Sequence, residues 1–270
     1  MSNDAARFVG DIPWHYDQAM GPMIFVDYAD DIARRTVACG PARVLEIAAG
    51  TGIVTRRLRA LLPADAHLIA TDLNPPMLEI ARAKFQLGEQ VEFQQADAMA
   101  LPFPDGSFDT VVCQFGVMFF PDKDKAYREV YRVLKPGGHY LFNIWDSHRF
   151  NPFGRLTHEV VNRFFPVDPP QFMKVPFSYQ FEPIKESTIE SGFTELKAAV
   201  LMLEKQIPDS AAFARGLIHG SPIIDQLRER GGVEPETIAA ALAQAFVQEF
   251  GKDPGRMPLQ AIVFSAKKAM

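Results

Sequence analysis

The run from Arg43 to Asp72 constrains this chain more than any other part of it. Arg43-Val44-Leu45-Glu46-Ile47 is a short, partly β-branched segment that reads as a buried strand, and it ends in the glycine-rich turn Ala48-Ala49-Gly50-Thr51-Gly52. Helical spacing follows at Val54, Leu58 and Leu61 and stops at Pro63, after which His67-Leu68-Ile69-Ala70-Thr71 reads as a second strand ending at Asp72. The same alternation continues downstream. Asn74-Pro75 opens a helix, because proline in the first helical turn gives up no hydrogen bond. Val91–Gln95 and Asp109–Cys113 read as strands, the latter after the turn Pro104-Asp105-Gly106. A helix from about Lys123 carries Ala126, Val130, Val133 and Leu134, and Lys135-Pro136-Gly137-Gly138 closes it ahead of a fifth strand, Tyr140–Trp145. Upstream, residues 1–40 read as a polar lead-in and then a helix with Ile24, Phe25, Tyr28, Ile32 and Val37 on one face. Strands alternating with helices at this spacing predict an α/β fold, a doubly wound parallel sheet with helices on both faces.

Composition narrows the class. With 47% hydrophobic and 23% charged residues in 270, disorder and fibrous repeats are poor readings. A net charge of −5 offers no broad footprint for nucleic acid. No apolar run approaches the roughly 18 residues of a membrane span, and the opening residues lack the basic-then-apolar pattern of a secretory signal. Two cysteines, Cys39 and Cys113, supply no zinc cluster, so no metal site and a cytoplasmic location are expected. After Trp145 the rhythm breaks: residues 147–183 hold six prolines and seven phenylalanines. Ala198–Leu203 and Gln260–Ser265 read as two more strands, with helical segments from Ser221-Pro222 and over Pro235–Gly251 between them. The expected organisation is one domain over 1–270. Its core covers about 36–146, 191–207 and 258–270, and 147–190 and 208–257 are insertions covering the open end of the sheet.

The turn after the first strand is where a ligand would approach the backbone. Two nucleotide cofactors use such a turn. The dinucleotide fingerprint fails here, since Thr55 stands at its last glycine position, and a carboxylate at Glu46 would repel a pyrophosphate. S-adenosylmethionine carries a sulfonium and an ammonium group instead, which a strand-end carboxylate attracts. Asp72 lies 20 residues after Gly52, the spacing at which an acid meets ribose hydroxyls. Asp97, ending the third strand, can accept from an adenine amino group. Any one of these acids could instead be a helix cap; three in order after a glycine turn point to an adenosine-type ligand.

On these residues the sequence resembles the class I S-adenosylmethionine-dependent methyltransferases, type 11, the group of the ubiquinone and menaquinone biosynthesis C-methyltransferases. The resemblance rests on Val44–Gly52, Asp72–Leu78, Gln95–Ala98, Leu101–Phe103, Phe108-Asp109 and Glu129–Gly138, and runs in register over roughly 40–145. It implies a seven-stranded, mostly parallel, Rossmann-like sheet with the last strand antiparallel, over which the insertions 147–190 and 208–257, read from the broken rhythm, would form a helical lid. It also implies that Glu46, Ala48 and Gly50, with Gly52 closing the turn, line the methionine side. Asp72 and Leu73 would hold the ribose, Met77 would lie near the adenosine, and Asp97 and Ala98 would hold adenine. Gln114 and Phe115 would face the methionine moiety, while Tyr16 and Trp14 would close over the cofactor. Ala48 stands where the family commonly has glycine, which is harmless provided the backbone there is not left-handed.

The function so implied is methyl transfer to a small apolar or aromatic acceptor, leaving S-adenosylhomocysteine as product. Alternatives are a non-catalytic sensor or scaffold and, less favoured, a dinucleotide-dependent oxidoreductase. His15, His148 and His219 are candidate bases, and Tyr16 and Tyr179 could orient an acceptor, but the sequence assigns no catalytic residue. Met118, Phe119 and Phe120 read either as a substrate wall or as packing. The Phe-rich stretch likewise reads as a pocket lining or as the core of a covering layer. The expected partner is a small-molecule acceptor, with no nucleic acid and no integral membrane segment; a homodimer stays open.

Overall fold

Alternate residues of the central strands enter two different cores, which is why those strands read as unbroken apolar runs. In the computed structural model, which describes residues 6–270, the strands are β1 (Arg43–Glu46), β2 (His67–Asp72), β3 (Val91–Gln95), β4 (Phe108–Gln114), β5 (Leu134–Trp145), β6 (Phe193–Ile207) and β7 (Gly255–Lys268). Val44, Leu68, Val112 and Leu141 pack with Ile32, Val54 and Leu58 on one face. Leu45, Ile69, Val111 and Phe142 pack with Tyr127 and Val130 on the other. The single sheet has the order β3-β2-β1-β4-β5-β7-β6. β1 to β5 run parallel, and β7 pairs antiparallel with both β5 and β6. The strand order reverses between β1 and β4, the point where open α/β sheets bind ligands outside the carboxyl ends of their strands.

The helices are α1 (Ile12–His15), α2 (Val26–Ala38), α3 (Ile53–Leu61), α4 (Pro75–Arg82), α5 (Lys123–Val133), α6 (Pro152–Phe164), α7 (Phe181–Glu190), α8 (Ser210–His219), α9 (Ile223–Arg230) and α10 (Pro235–Phe250). None of the described helices is long and apolar enough to cross a membrane. The sequence reading of this architecture holds, with four local corrections. The first described α-helix begins at Ile12 rather than near residue 24, and α1 joins α2 through a π-helical stretch, Tyr16–Phe25, that carries Pro22. Lys135–Gly138 does not close α5 but belongs to β5: Phe108 pairs with Leu134 and Thr110 with His139, so the residues between bulge out. Gly137, at φ +75°, supplies the backbone such a bulge needs. α8 was not legible as a separate helix, although Asp209 caps it by accepting from the Ala212 N–H. α7, within the Phe-rich stretch, packs against α5 and β6, and Phe181 at its start stacks on Phe264 of β7.

Candidate active site

The ends of β1, β2 and β4 and the turn after β3 converge on one cavity, roofed by the π-helical stretch, residues Phe172–Phe177 and the α8–α9 junction. The floor is set by two tight turns. Gly50 takes φ +57° after β1, and its N–H donates to Asp72 Oδ2 at 2.8 Å. Phe115 takes φ +51° after β4, and its N–H donates to Asn143 Oδ1 at 2.9 Å. Its ring stacks on Trp145 at 4.1 Å. Ala48 is also left-handed, at φ +52°, so the condition under which alanine would replace glycine without strain is not met. Its methyl group is accommodated by Gly116, where an added Cβ would lie 2.5 Å from the Ala48 Cβ.

Three carboxylates define the electrostatics. Glu46 is 2% exposed and faces a small side chamber that shares Tyr16, Ala48, Gly50 and Gln114 with the main cavity. Its Oε2 has no hydrogen-bond partner among the described residues, and burial pushes its carboxyl up to about 8, against the opposing pull of Thr55. Asp72 is buried and also shifted upward by desolvation, offset by donors from Asn74 and Gly50. Its Oδ1 accepts from the Asn74 N–H at 2.8 Å and from Asn74 Nδ2 at 3.2 Å, while Oδ2 accepts from Gly50. One acceptor position, on Oδ2, is thus left for a ligand hydroxyl, given about four lone-pair sites per carboxylate. Asp97 turns back to accept from the Met99 N–H at 2.8 Å and lines the cavity beside Ala98. Among the described residues no Lys, Arg or His lines either chamber. A site with three acids and no cation suits a cationic or neutral ligand and disfavours a phosphate-bearing one.

The structure gathers Tyr16, Ala48, Gly50, Asp72, Leu73, Met77, Asp97, Ala98, Gln114 and Phe115 around the main cavity, with Glu46 in the side chamber. Leu73 is 43% exposed at its edge. Gln114 is held by donating to the Phe25 carbonyl at 3.2 Å. Tyr16 stacks on Phe25 at 4.9 Å, and burial raises its phenol pKa. Gly52 is the exception, outside both linings. It opens α3 at φ +78°, and a Cβ there would meet the Ala81 Cβ of α4 at 2.8 Å, so helix packing requires this glycine. Trp14 is 59% exposed and absent from the lining, edge-on to His15, so it does not close over the cavity.

The acceptor-side expectations divide in the same way. Phe153, Phe172 and Phe177 line the cavity, with Met118, Phe119 and Phe120, whereas Phe150, Phe164, Phe165 and Phe181 do not. His15, His148, His219 and Tyr179 also lie outside the lining. The His15 and His219 rings are 5.2 Å apart, and His219 pairs with Glu236 at 3.0 Å. His148 contacts the Met173 carbonyl at 3.1 Å and lies tilted against Phe177 with ring centroids 4.6 Å apart, while Tyr179 donates to the Met118 carbonyl at 2.7 Å. His148 and Tyr179 thus brace the wall from behind. Sequence reasoning missed Phe8, Met20, Asn74, Trp145, Leu217 and Ser221 in the lining; only Asn74, beside Asp72, carried a local signal.

Comparison with known proteins fits this arrangement. The type 11 methyltransferase domain matches residues 45–142. The chain is 34% identical over 186 residues to the ubiquinone/menaquinone biosynthesis C-methyltransferase UbiE of Pasteurella multocida, covering 60% of this chain and 68% of that protein. The chain belongs to the type 11 family of class I S-adenosylmethionine-dependent methyltransferases. Within that family it is 50% identical over 127 residues to the demethylmenaquinone methyltransferase of Thermus thermophilus, a match covering 47% of this chain and only 57% of the relative. Among solved structures, the YcgJ protein from Bacillus subtilis superposes with a TM-score of 0.61 at 23% identity, over 90% of this chain and 99% of that one. Phosphoethanolamine N-methyltransferase 2 of Haemonchus contortus, solved with S-adenosyl-L-methionine, gives 0.62 at 19% identity, over 100% and 60%. Both likenesses are of fold.

Proposed function

We propose that this type 11 family member catalyses S-adenosylmethionine-dependent methyl transfer to a small, apolar, quinone-type acceptor. The observation that carries the reading is the set of Glu46 ending β1, Asp72 ending β2 and Asp97 just after β3, facing two adjoining chambers that no basic side chain lines among the described residues. The unpartnered, buried Glu46 Oε2 fits an ammonium group, whose charge would draw the proton off the carboxyl. When bound, the cofactor supplies an electrophilic methyl group on a sulfonium. The protein's part is to hold and align. Glu46 takes the ammonium in the side chamber, and Ala48, Gly50, Gln114, Phe115 and Tyr16 surround the methionine portion. Asp72 accepts a ribose hydroxyl beside Leu73, with Met77 flanking the adenosine and Asp97 and Ala98 meeting the adenine. Aromatic faces at Tyr16 and Phe115 steady positive charge. Phe119, Phe172, Met173 and Phe177 bind an apolar acceptor and exclude water, and alignment of this kind is worth several kcal/mol of effective molarity, up to about 7–11 in the best cases. The relatives' names, taken from menaquinone and ubiquinone biosynthesis, support the quinone class.

The test pairs binding with turnover. S-adenosylhomocysteine at 100 times its Kd should add about 2.7 kcal/mol of stability, and NAD and NADP should add none. Incubation of the labelled methyl donor with a panel of reduced naphthoquinones and benzoquinones should then give a methylated product. Binding without transfer to any of them would leave a sensor, and stabilisation by NAD alone would sink the reading.

A further inference from the structure

Asn74 occupies the backbone N-cap of α4, yet its side chain makes no capping bond. That is unusual for a residue type favoured there because its side-chain oxygen accepts from the first helical turn. The amide is committed elsewhere. Its Oδ1 accepts from the Phe8 N–H at 3.2 Å, and its Nδ2 donates to the Ala6 carbonyl at 3.0 Å, so one side chain imitates the two-bond pairing of a neighbouring strand. The same Nδ2 reaches Asp72 Oδ1, which also takes the Asn74 N–H. Ala6 and Phe8 both line the cavity. The Phe8 ring meets Tyr16 edge-on at 5.9 Å on the cofactor side and Phe119 at 5.9 Å on the acceptor side, so this segment spans both halves of the site.

We propose that Asn74 is a positioning residue that fastens residues 6–8 across the cavity and thereby sets how fast the nucleoside ligand leaves. The proposal rests on the methyltransferase reading above. One residue links the strap to the carboxylate assigned to the ribose, so a ligand seated on Asp72 lies beneath a segment tied to that same carboxylate. Release then requires the strap to come away from Asn74.

The first measurement needs no ligand. Arg7 is exposed, and the amide of the tryptic bond Arg7–Phe8 is the N–H that Asn74 accepts. Trypsin should therefore cut the full chain after Arg7 about tenfold faster in Asn74→Ala, the expected effect of losing two modest hydrogen bonds. Asn74→Ser, which keeps a good helix-opening residue, should behave alike and guards against a folding artefact. The second measurement is the dissociation rate of S-adenosylhomocysteine by stopped flow. It should rise about tenfold in Asn74→Ala and in Phe8→Ala, and by no more in the double variant, because both act through one strap. Wild-type cleavage and release rates in Asn74→Ala, or additive acceleration in the double variant, would overturn the proposal. If the wild-type chain binds no S-adenosylhomocysteine, the methyltransferase reading fails instead, and the tryptic rates still decide the fastening.

Discussion

At the scale of single residues, the most informative pair is Ala48 and Gly116. A non-glycine residue at φ +52° costs roughly 1–2 kcal/mol. Replacing Ala48 by glycine would relieve that strain but loosen the unfolded chain by about 0.4–1 kcal/mol. Ala48→Gly should therefore stabilise the protein by about 0–1.6 kcal/mol in denaturant titrations. Gly116→Ala should cost roughly 1–3 kcal/mol, since its methyl would lie 2.5 Å from the Ala48 Cβ and 2.8 Å from Cys113 Sγ. In the Ala48→Gly background that cost should fall, giving a favourable coupling in the double-mutant cycle. A coupling of zero would mean that the two turns do not touch in solution. The sequence showed that Ala48 departs from the family's usual glycine. That its methyl group rests on a glycine 68 positions away depends on β1 and β4 being neighbours.

At the scale of elements, the cover divides its phenylalanines between two jobs. Phe172 and Phe177, in the Phe172–Phe177 turn, face the cavity, and Phe119 stacks on Phe172 at 5.9 Å. Phe164, at the end of α6, packs against the core outside the lining. Phe172→Ala should lower kcat/KM for an apolar acceptor by about tenfold or more, from the roughly 1.5–3 kcal/mol of lost apolar contact. The affinity for S-adenosylhomocysteine should stay within about twofold, a few tenths of a kcal/mol. Phe164→Ala should instead lower the melting temperature and spare acceptor kinetics. Equal losses of stability in the two variants with no selective kinetic change would reassign the whole stretch to packing. The same stretch shows the limit of composition as a guide. Its phenylalanines predict an apolar cover, but which of them face inward follows from the helical phase of α6 and the turn after it, and neither is fixed until both dock on the sheet.

At the scale of the whole molecule, the buried Glu46 couples stability, ligand and pH. Its folded-state value of about 8 lies above the 4.5 of an unperturbed glutamate. The unfolded chain therefore loses this proton first. The stabilising contribution is fully present below about pH 4.5 and is lost as pH rises through about 8. The ligand-free protein should lose up to about 1.4 kcal/mol per pH unit in that window from this group, and Glu46→Gln should flatten the slope. Binding of a ligand with an ammonium group should reverse the preference, so that S-adenosylhomocysteine expels a proton at pH 7 and binds more tightly as pH approaches 8. Calorimetry in buffers of different ionisation enthalpy reads this directly. An apparent enthalpy that is the same in every buffer, with wild-type protein, would show that Glu46 does not meet the ammonium.

Local chemistry by itself determined the strand-and-helix alternation, the parallel core, the turn Ala48–Gly52 and the acids ending β1 and β2 and following β3. Each of these is written in a stretch of a few residues: apolar periodicity fixes the element, and the residue at its end fixes the chemistry offered there. Tertiary structure alone decided the rest. It placed Gly52 under α4 rather than in the site, left Trp14 in solvent, and kept three histidines out of the cavity lining. It also brought Phe8, Trp145 and Leu217 together around one cavity. These residues are far apart in the chain, so no local pattern relates them; their meeting depends on which strands neighbour one another and on how the covering helices settle over the strand ends.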